Sequence, residues 1–208
     1  RAIVADDHRM RADALKLVLE ARCDVVASVR DGRELLEAAA KLKPDIIVLD
    51  IGMPHLNGFD AGKKLKHLLP NTKLIYMTMH DDPYLVGEAF RAGASAFLLK
   101  EAAASELTEA IDRVMKGGTY VTPSASPGLT NIELRDPKNR DSAPEPTPRQ
   151  REVIQLLAEG RSMKQVASEL NITTRTVAGH KYAVMELLQI KTNADLVQYA
   201  IKHKIISL

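Results

Sequence analysis

Ile46-Ile47-Val48-Leu49-Asp50 is an apolar run without alternation, closed by a carboxylate. A strand with one face in water alternates apolar and polar residues, whereas a parallel strand covered by helices on both faces is apolar throughout. The run therefore reads as the central strand of a parallel sheet. Working outward, shorter runs of the same kind recur at intervals of about 25 residues: Ala2–Ala5, Val25–Ser28, Leu74–Met77 and Ala96–Leu99. Between them, Ala12–Ala21, Gly32–Lys41, Gly58–Leu69, Tyr84–Ala92 and Ser105–Lys116 place apolar residues three and four apart, the helical spacing. Gly117 and Gly118 close the last of these helices. Strands alternating with helices predict an α/β domain around a parallel sheet.

The chain has 208 residues, more than the usual single domain of roughly 100 to 150. Two compact units are expected. From Val121 to Pro148 the periodicity stops, and Pro123, Pro127, Pro137, Pro144, Pro146 and Pro148 fall in this stretch, which reads as a spacer that is stiff and well solvated. The expected division is residues 1–120, a proline-rich linker over 121–146, and a helical unit over 147–208. In the last, Thr147 with Gln150 and Ser162 with Gln165 have the spacing of capping boxes, and Gly160 ends the first helix. A second helix over Met163–Leu170, a short Asn171-Ile172-Thr173 connection, a third helix from Thr174 to about Leu188, and a fourth capped by Thr192 or Asn193 complete it.

Net charge of +2 conceals an asymmetry, since residues 147–208 hold nine basic against five acidic side chains while the rest is nearly balanced. A basic helical module suits a phosphate backbone, and equally a solvated face. The single cysteine, Cys23, excludes an intrachain disulfide and points to a reducing compartment. Apolar runs are too short for a bilayer span, and Asp6, Asp7 and Arg9 interrupt any leader-like apolar core. The chain opens at Arg1 rather than methionine, so the natural start is expected to be trimmed.

In an open parallel sheet, ligands bind at the carboxyl ends of strands near the reversal of strand order. Asp6 and Asp7 end the first strand there and Asp50 ends the third. Taken singly, Asp50 reads as a cap and the other two as solvated carboxylates. Together they repel unless a hard cation neutralises them, which oxygen ligands do best with Mg²⁺, and a phosphoryl group is the natural guest. Thr78 and Lys100, ending the fourth and fifth strands, add a hydroxyl and a cation for its oxygens.

Asp6-Asp7, Asp50 followed by Ile51-Gly52-Met53-Pro54, Thr78, and Phe97 three residues before Lys100 resemble the receiver domains of two-component response regulators over residues 1–118. The resemblance implies a flavodoxin-like (βα)5 domain with sheet order 2-1-3-4-5. It implies Asp50 as phosphoacceptor for a sensor histidine kinase, and Mg²⁺ held by Asp6, Asp7, Asp50 and the Gly52 carbonyl. Thr78 and Lys100 would bind phosphoryl oxygens, and Phe97 would rotate into space that Thr78 vacates, unless it is a plain core aromatic. Glu101 departs from a frequent proline, and Met79 replaces a commonly smaller residue, from which crowding of the phosphoryl pocket is expected.

Residues 147–208 resemble the four-helix helix-turn-helix domain of the NarL/LuxR (FixJ) regulators. The matching strings are Thr147-Pro148-Arg149-Gln150-Arg151-Glu152-Val153, Glu159-Gly160, Val166-Ala167, and Thr174-Arg175-Thr176-Val177 with His180. The resemblance implies that the third helix enters the major groove of double-stranded DNA through Thr174, Arg175, Thr176, Ala178, Gly179, His180, Lys181 and Tyr182. Base contacts would come from Ala178, Gly179 and Tyr182, and phosphate contacts from Thr176, His180 and Lys181. Ala194, Val197, Ala200 and Ile201 on the fourth helix would supply an apolar surface for dimerisation, with some of them belonging to the core. Ala183 and Leu187 depart from the pattern, and Ala178 and Gly179 lack the reach for bidentate base contacts, so readout by Tyr182, methyl groups and DNA shape is expected.

Together these imply a bacterial cytoplasmic transcription regulator whose phosphorylation at Asp50 modulates dimerisation and DNA binding, with no catalysis beyond its own phosphotransfer and dephosphorylation. Two other readings are an aspartyl phosphohydrolase, whose paired-aspartate signature is absent because Ile51 and Gly52 follow Asp50, and a DNA-binding protein that keeps the receiver only for dimerisation.

Overall fold

The structure, a computed structural model, describes residues 1–101, 104–125 and 145–206. The first unit alternates β1 (Ala2–Ala5), α1 (Arg9–Glu20), β2 (Val25–Val29), α2 (Gly32–Leu42), β3 (Ile46–Asp50), α3 (Gly58–Leu68), β4 (Lys73–Thr78), α4 (Pro83–Arg91), β5 (Ala96–Leu99), α5 (Ala104–Met115) and β6 (Tyr120–Val121), followed by a 3₁₀ turn over Pro123–Ala125. Among the described residues the sheet is six-stranded in the order β2-β1-β3-β4-β5-β6, with every pairing parallel.

The unbroken hydrophobicity of β3 has the expected cause. Ile47 and Leu49 face the α2, α3 and α4 side with Leu35, Leu65 and Leu85, while Ile46 and Val48 face the α1 and α5 side with Leu19, Leu107 and Ile111. Each face thus takes alternate residues of one apolar run. Caps fix the helix starts around the sheet's carboxyl edge: Asp31 accepts from the Arg33 and Glu34 amides, Asn57 from Asp60, and Asp82 from Tyr84 with Pro83 following. Gly58 opens α3 so close to β3 that a Cβ there would lie 2.3 Å from the Asp50 carbonyl.

Two boundaries differ from the sequence expectation by more than one residue. Helix α1 begins at Arg9, three residues before its first buried position, Ala12, so its first turn carries no apolar period. The sheet continues into the stretch taken as linker, where Val121 pairs with Phe97 and Ala125 is buried against the core. The rest of that stretch, 126–144, lies outside the described residues.

The second unit comprises α6 (Pro148–Ala158), α7 (Met163–Glu169), α8 (Thr174–Leu187) and α9 (Asn193–Lys202), opened by Thr147, Ser162, Thr173 and Thr192, each accepting a hydrogen bond from a first-turn amide. Its core has two parts. Val153, Leu156, Val166, Leu170 and Val177 form one, and Ile154, Val184, Leu196, Ala200 and Ile205 the other. Val184 and Leu188 of α8 pack in the second part with α9.

Candidate functional site

Asp50 leaves β3 between β1 and β4 at the carboxyl edge and is 6% exposed. Its Oδ1 accepts from the Gly52 amide at 3.1 Å, and its Oδ2 accepts from Lys100 Nζ at 2.5 Å. Lys100, just past β5, also stands 3.4 Å from Asp6 Oδ2. Burial pushes the Asp50 pKa up; the charge and hydrogen bond of Lys100 oppose that, and Asp6 adds to it. Thr78 ends β4 almost fully buried, and its Oγ1 accepts from the His80 amide at 3.2 Å. Phe97 is wholly buried in β5 beside Tyr76. Met79, the residue after Thr78, is 54% exposed.

Ligand atoms of Asp6, Asp7 and His8 lie within 4.8 Å of one another. The carboxylates and the Gly52 carbonyl are hard oxygen donors that fit Mg²⁺. The electrostatic argument for a metal needs a correction, however. Lys100 bridges Asp50 and Asp6, and Arg11 Nη2 stands 3.3 Å from Asp6 Oδ1 and 3.7 Å from Asp7 Oδ1, so the protein's own cations already offset the clustered charge. His8 Nδ1 approaches Asp7 Oδ1 at 2.6 Å. Neither Arg11 nor His8 was singled out from the sequence; the signal was Arg11 four residues after Asp7, one helical turn on.

The loop leaving Asp50 carries a second constellation. Gln155 of α6, wholly buried, accepts from the Asn57 amide at 2.9 Å and donates to the Met53 carbonyl at 3.0 Å. The His55 amide donates to Glu159 at 3.0 Å, and its Nδ1 lies 2.8 Å from Glu169 Oε1. Lys64 pairs with Glu152 at 2.5 Å and Arg151 stands 3.7 Å from Asp60. The second unit thus docks on the β3–α3 loop and α3.

On α8, Thr174, Arg175, Thr176, Gly179 and Tyr182 are exposed, Ala178 and His180 are half-buried, and Tyr182 is 60% exposed. Lys181 is not on this outer face. It is 8% exposed because it follows Val177 by four residues and precedes Val184 by three, both in the core, and its Nζ turns back over the Tyr182 ring at 5.5 Å. On α9, Ala194 is exposed and Val197 and Ile201 half-buried, but Ala200 is fully buried beside Ile154 and Val184 and so serves its own core rather than a dimer face.

Residues 2–112 match the response regulator receiver domain family, and residues 147–200 match the luxR family of bacterial regulatory proteins. The transcriptional regulatory protein MctR of Rhizobium johnstonii is 32% identical over 209 residues, spanning 100% of this chain and 95% of that protein. The oxygen regulatory protein NreC of Staphylococcus aureus is 33% identical over 215 residues, spanning 99% of each. Among solved structures, the RcsB response regulator of Salmonella typhimurium covers 95% of this chain and 96% of its own, at 25% identity and a TM-score of 0.56. RcsB in its complex with DNA gives a TM-score of 0.58 at the same identity. The chain belongs to the response regulators that join a receiver domain to a LuxR-type DNA-binding domain. That family regulates transcription and is not a class of conventional enzymes. No helix among the described residues is long and apolar enough to cross a membrane.

Proposed function

We propose that Asp50 accepts a phosphoryl group from a sensor histidine kinase and that this changes how the helix-turn-helix domain binds double-stranded DNA. The observation carrying the proposal is the Lys100 ammonium held 2.5 Å from Asp50 and 3.4 Å from Asp6 at the carboxyl edge of β3. A carboxylate oxygen of Asp50 attacks phosphorus, the phosphorus–nitrogen bond of the phosphohistidine breaks, and the donor imidazole keeps the electron pair and takes a proton. Lys100 and Thr78 hold phosphoryl oxygens. Asp6, Asp7, Asp50 and the Gly52 carbonyl would hold Mg²⁺, which when bound supplies charge neutralisation for those oxygens. Water later hydrolyses the acyl phosphate, so the only catalysis is of the protein's own phosphorylation and dephosphorylation. Phe97 moves as Thr78 shifts toward the phosphoryl group.

Residues 1–125 act as the sensing domain and 147–208 as the DNA-binding domain, joined by the stretch between them. In the latter, Thr174, Arg175, Thr176, Ala178, Gly179, His180 and Tyr182 face the duplex, and Ala194, Val197 and Ile201 bring two copies together. A chromosomal target places its action in the bacterial cytoplasm. The test is incubation with acetyl phosphate and Mg²⁺, followed by peptide mass spectrometry and DNA-affinity measurement. Stoichiometric label at Asp50, absent from Asp50→Asn, and a donor-dependent change in DNA affinity are expected. An unlabelled wild type refutes the phosphoacceptor, and equal affinity in all samples refutes the switch.

A further inference from the structure

We propose that Arg11 is a resident cation of the acidic pocket which Mg²⁺ must displace, so that this residue sets the apparent metal affinity of the site; the inference rests on reading the pocket as the metal site. Arg11 lies in the first turn of α1, and its Nη2 stands 3.3 Å from Asp6 Oδ1 and 3.7 Å from Asp7 Oδ1 while also contacting His8 Nδ1. These carboxylates are the donors a divalent ion would take, at about 2.1 Å and with several waters retained. Such an ion fills the volume where the guanidinium stands, and two cations on one oxygen repel.

The pocket's other cation is placed differently. The Lys100 side chain is 6% exposed and holds the opposite oxygen of Asp6 together with Asp50, so it is far more enclosed than Arg11. The Arg11 side chain is 33% exposed, and its Nε is buried with no hydrogen-bond partner. A guanidinium with an unsatisfied N–H is weakly anchored and can swing outward. Arg11 is therefore the exchangeable cation and Lys100 the fixed one. If the guanidinium covers the carboxylates about nine-tenths of the time, the apparent dissociation constant for Mg²⁺ is raised about tenfold.

Calorimetric titration of the unphosphorylated full chain with MgCl₂ tests this on wild type, Arg11→Gln, Arg11→Lys and Arg9→Gln. Arg9, 81% exposed and facing Asp13 at 3.9 Å, controls for the loss of one positive charge without contact to the pocket. Arg11→Gln should bind Mg²⁺ about tenfold tighter than wild type, with Arg11→Lys between them and Arg9→Gln within about twofold of wild type. Thermal unfolding of each variant, with and without Mg²⁺, gives an independent reading in which Arg11→Gln gains the most stability from the ion. Saturable binding with Arg11→Gln no tighter than wild type or Arg9→Gln overturns the proposal and leaves the metal site standing. Absence of Mg²⁺ binding in all four proteins overturns both.

Discussion

Gln155→Ala removes the side chain that joins the two domains at their most buried point. Its Oε1 accepts from the Asn57 amide at 2.9 Å and from Asn57 Nδ2 at 3.4 Å, and its Nε2 donates to the Met53 carbonyl at 3.0 Å and to Glu159 at 2.9 Å. A hydrogen bond contributes about 0.5 to 1.5 kcal/mol net, and a buried donor left unpaired costs about 1 to 3 kcal/mol. The Asn57 amide and the Met53 carbonyl are the groups stranded. Water entry relieves part of this, so docking should weaken by about 2 to 3 kcal/mol, a factor of roughly 30 to 150. Lys64 with Glu152 and His55 with Glu169 remain, and keep the variant partly docked. Amide hydrogen exchange reads this directly, because Asn57 and His55 donate their backbone N–H groups across the interface. Their exchange should accelerate by that factor, while Val48 and Leu49 inside β3 stay protected. Acceleration below about threefold at Asn57 would refute the reasoning, and equal acceleration across β3 would mean unfolding rather than undocking.

Asp50→Asn should stabilise the protein in magnesium-free buffer, because burial raises the folded pKa of Asp50 above its ordinary 3.8. Below that ordinary value both states are protonated and the aspartate costs nothing; as pH rises through the raised folded value, wild type loses stability that the asparagine variant keeps. Urea unfolding should therefore show a gap on the order of 1 kcal/mol at neutral pH that closes toward acid, and a less stable variant at pH 7 would contradict it. Gly62→Ala places a Cβ 1.6 Å from the hydroxyl of the wholly buried Tyr76 and should cost about 1 to 3 kcal/mol in thermal unfolding. Tyr182→Ala should leave unfolding within about 0.5 kcal/mol of wild type while weakening DNA binding, and Lys181→Ala should show the reverse emphasis because its stem is buried.

The strands were legible because a two-sided buried strand leaves an apolar run that few other elements leave, and the carboxylates were legible because they close such runs. Strand β6 was not, since two residues followed by Thr122 and Pro123 have no period; its place is set by the register of Ala96 with Tyr120. Lys181 and Ala200 are a different case. The helical spacing of Val177, Lys181 and Val184 points inward, whereas the family resemblance implies a phosphate contact for Lys181. Ala200 is the one of the four apolar α9 residues that is fully buried in the core, since it follows Leu196, a core residue, by four positions. Gln155 carries no local signal, because its partners come from another element, whereas the only signal at Arg11 is its spacing of four from Asp7.

In the docked arrangement one loop links Asp50 to the second unit. Thr174, Arg175, Gly179 and Tyr182 remain exposed while α6 sits on the β3–α3 loop, so docking does not work by covering the outer face of α8. What it does fix is orientation. The loop it grips is anchored at one end by the Gly52 amide on Asp50 and at the other by Gly58, whose close approach to the Asp50 carbonyl leaves little slack. Between them His55 is held at a φ of 62°, a left-handed conformation that a side chain adopts only at some cost. A change of charge or bonding at Asp50 therefore meets a short, tightly held loop, and Met53 and Asn57 on that loop are the residues Gln155 binds. Asp50 is thus joined to the seat of the second unit through one short loop, and that seat leaves the outer face of α8 open.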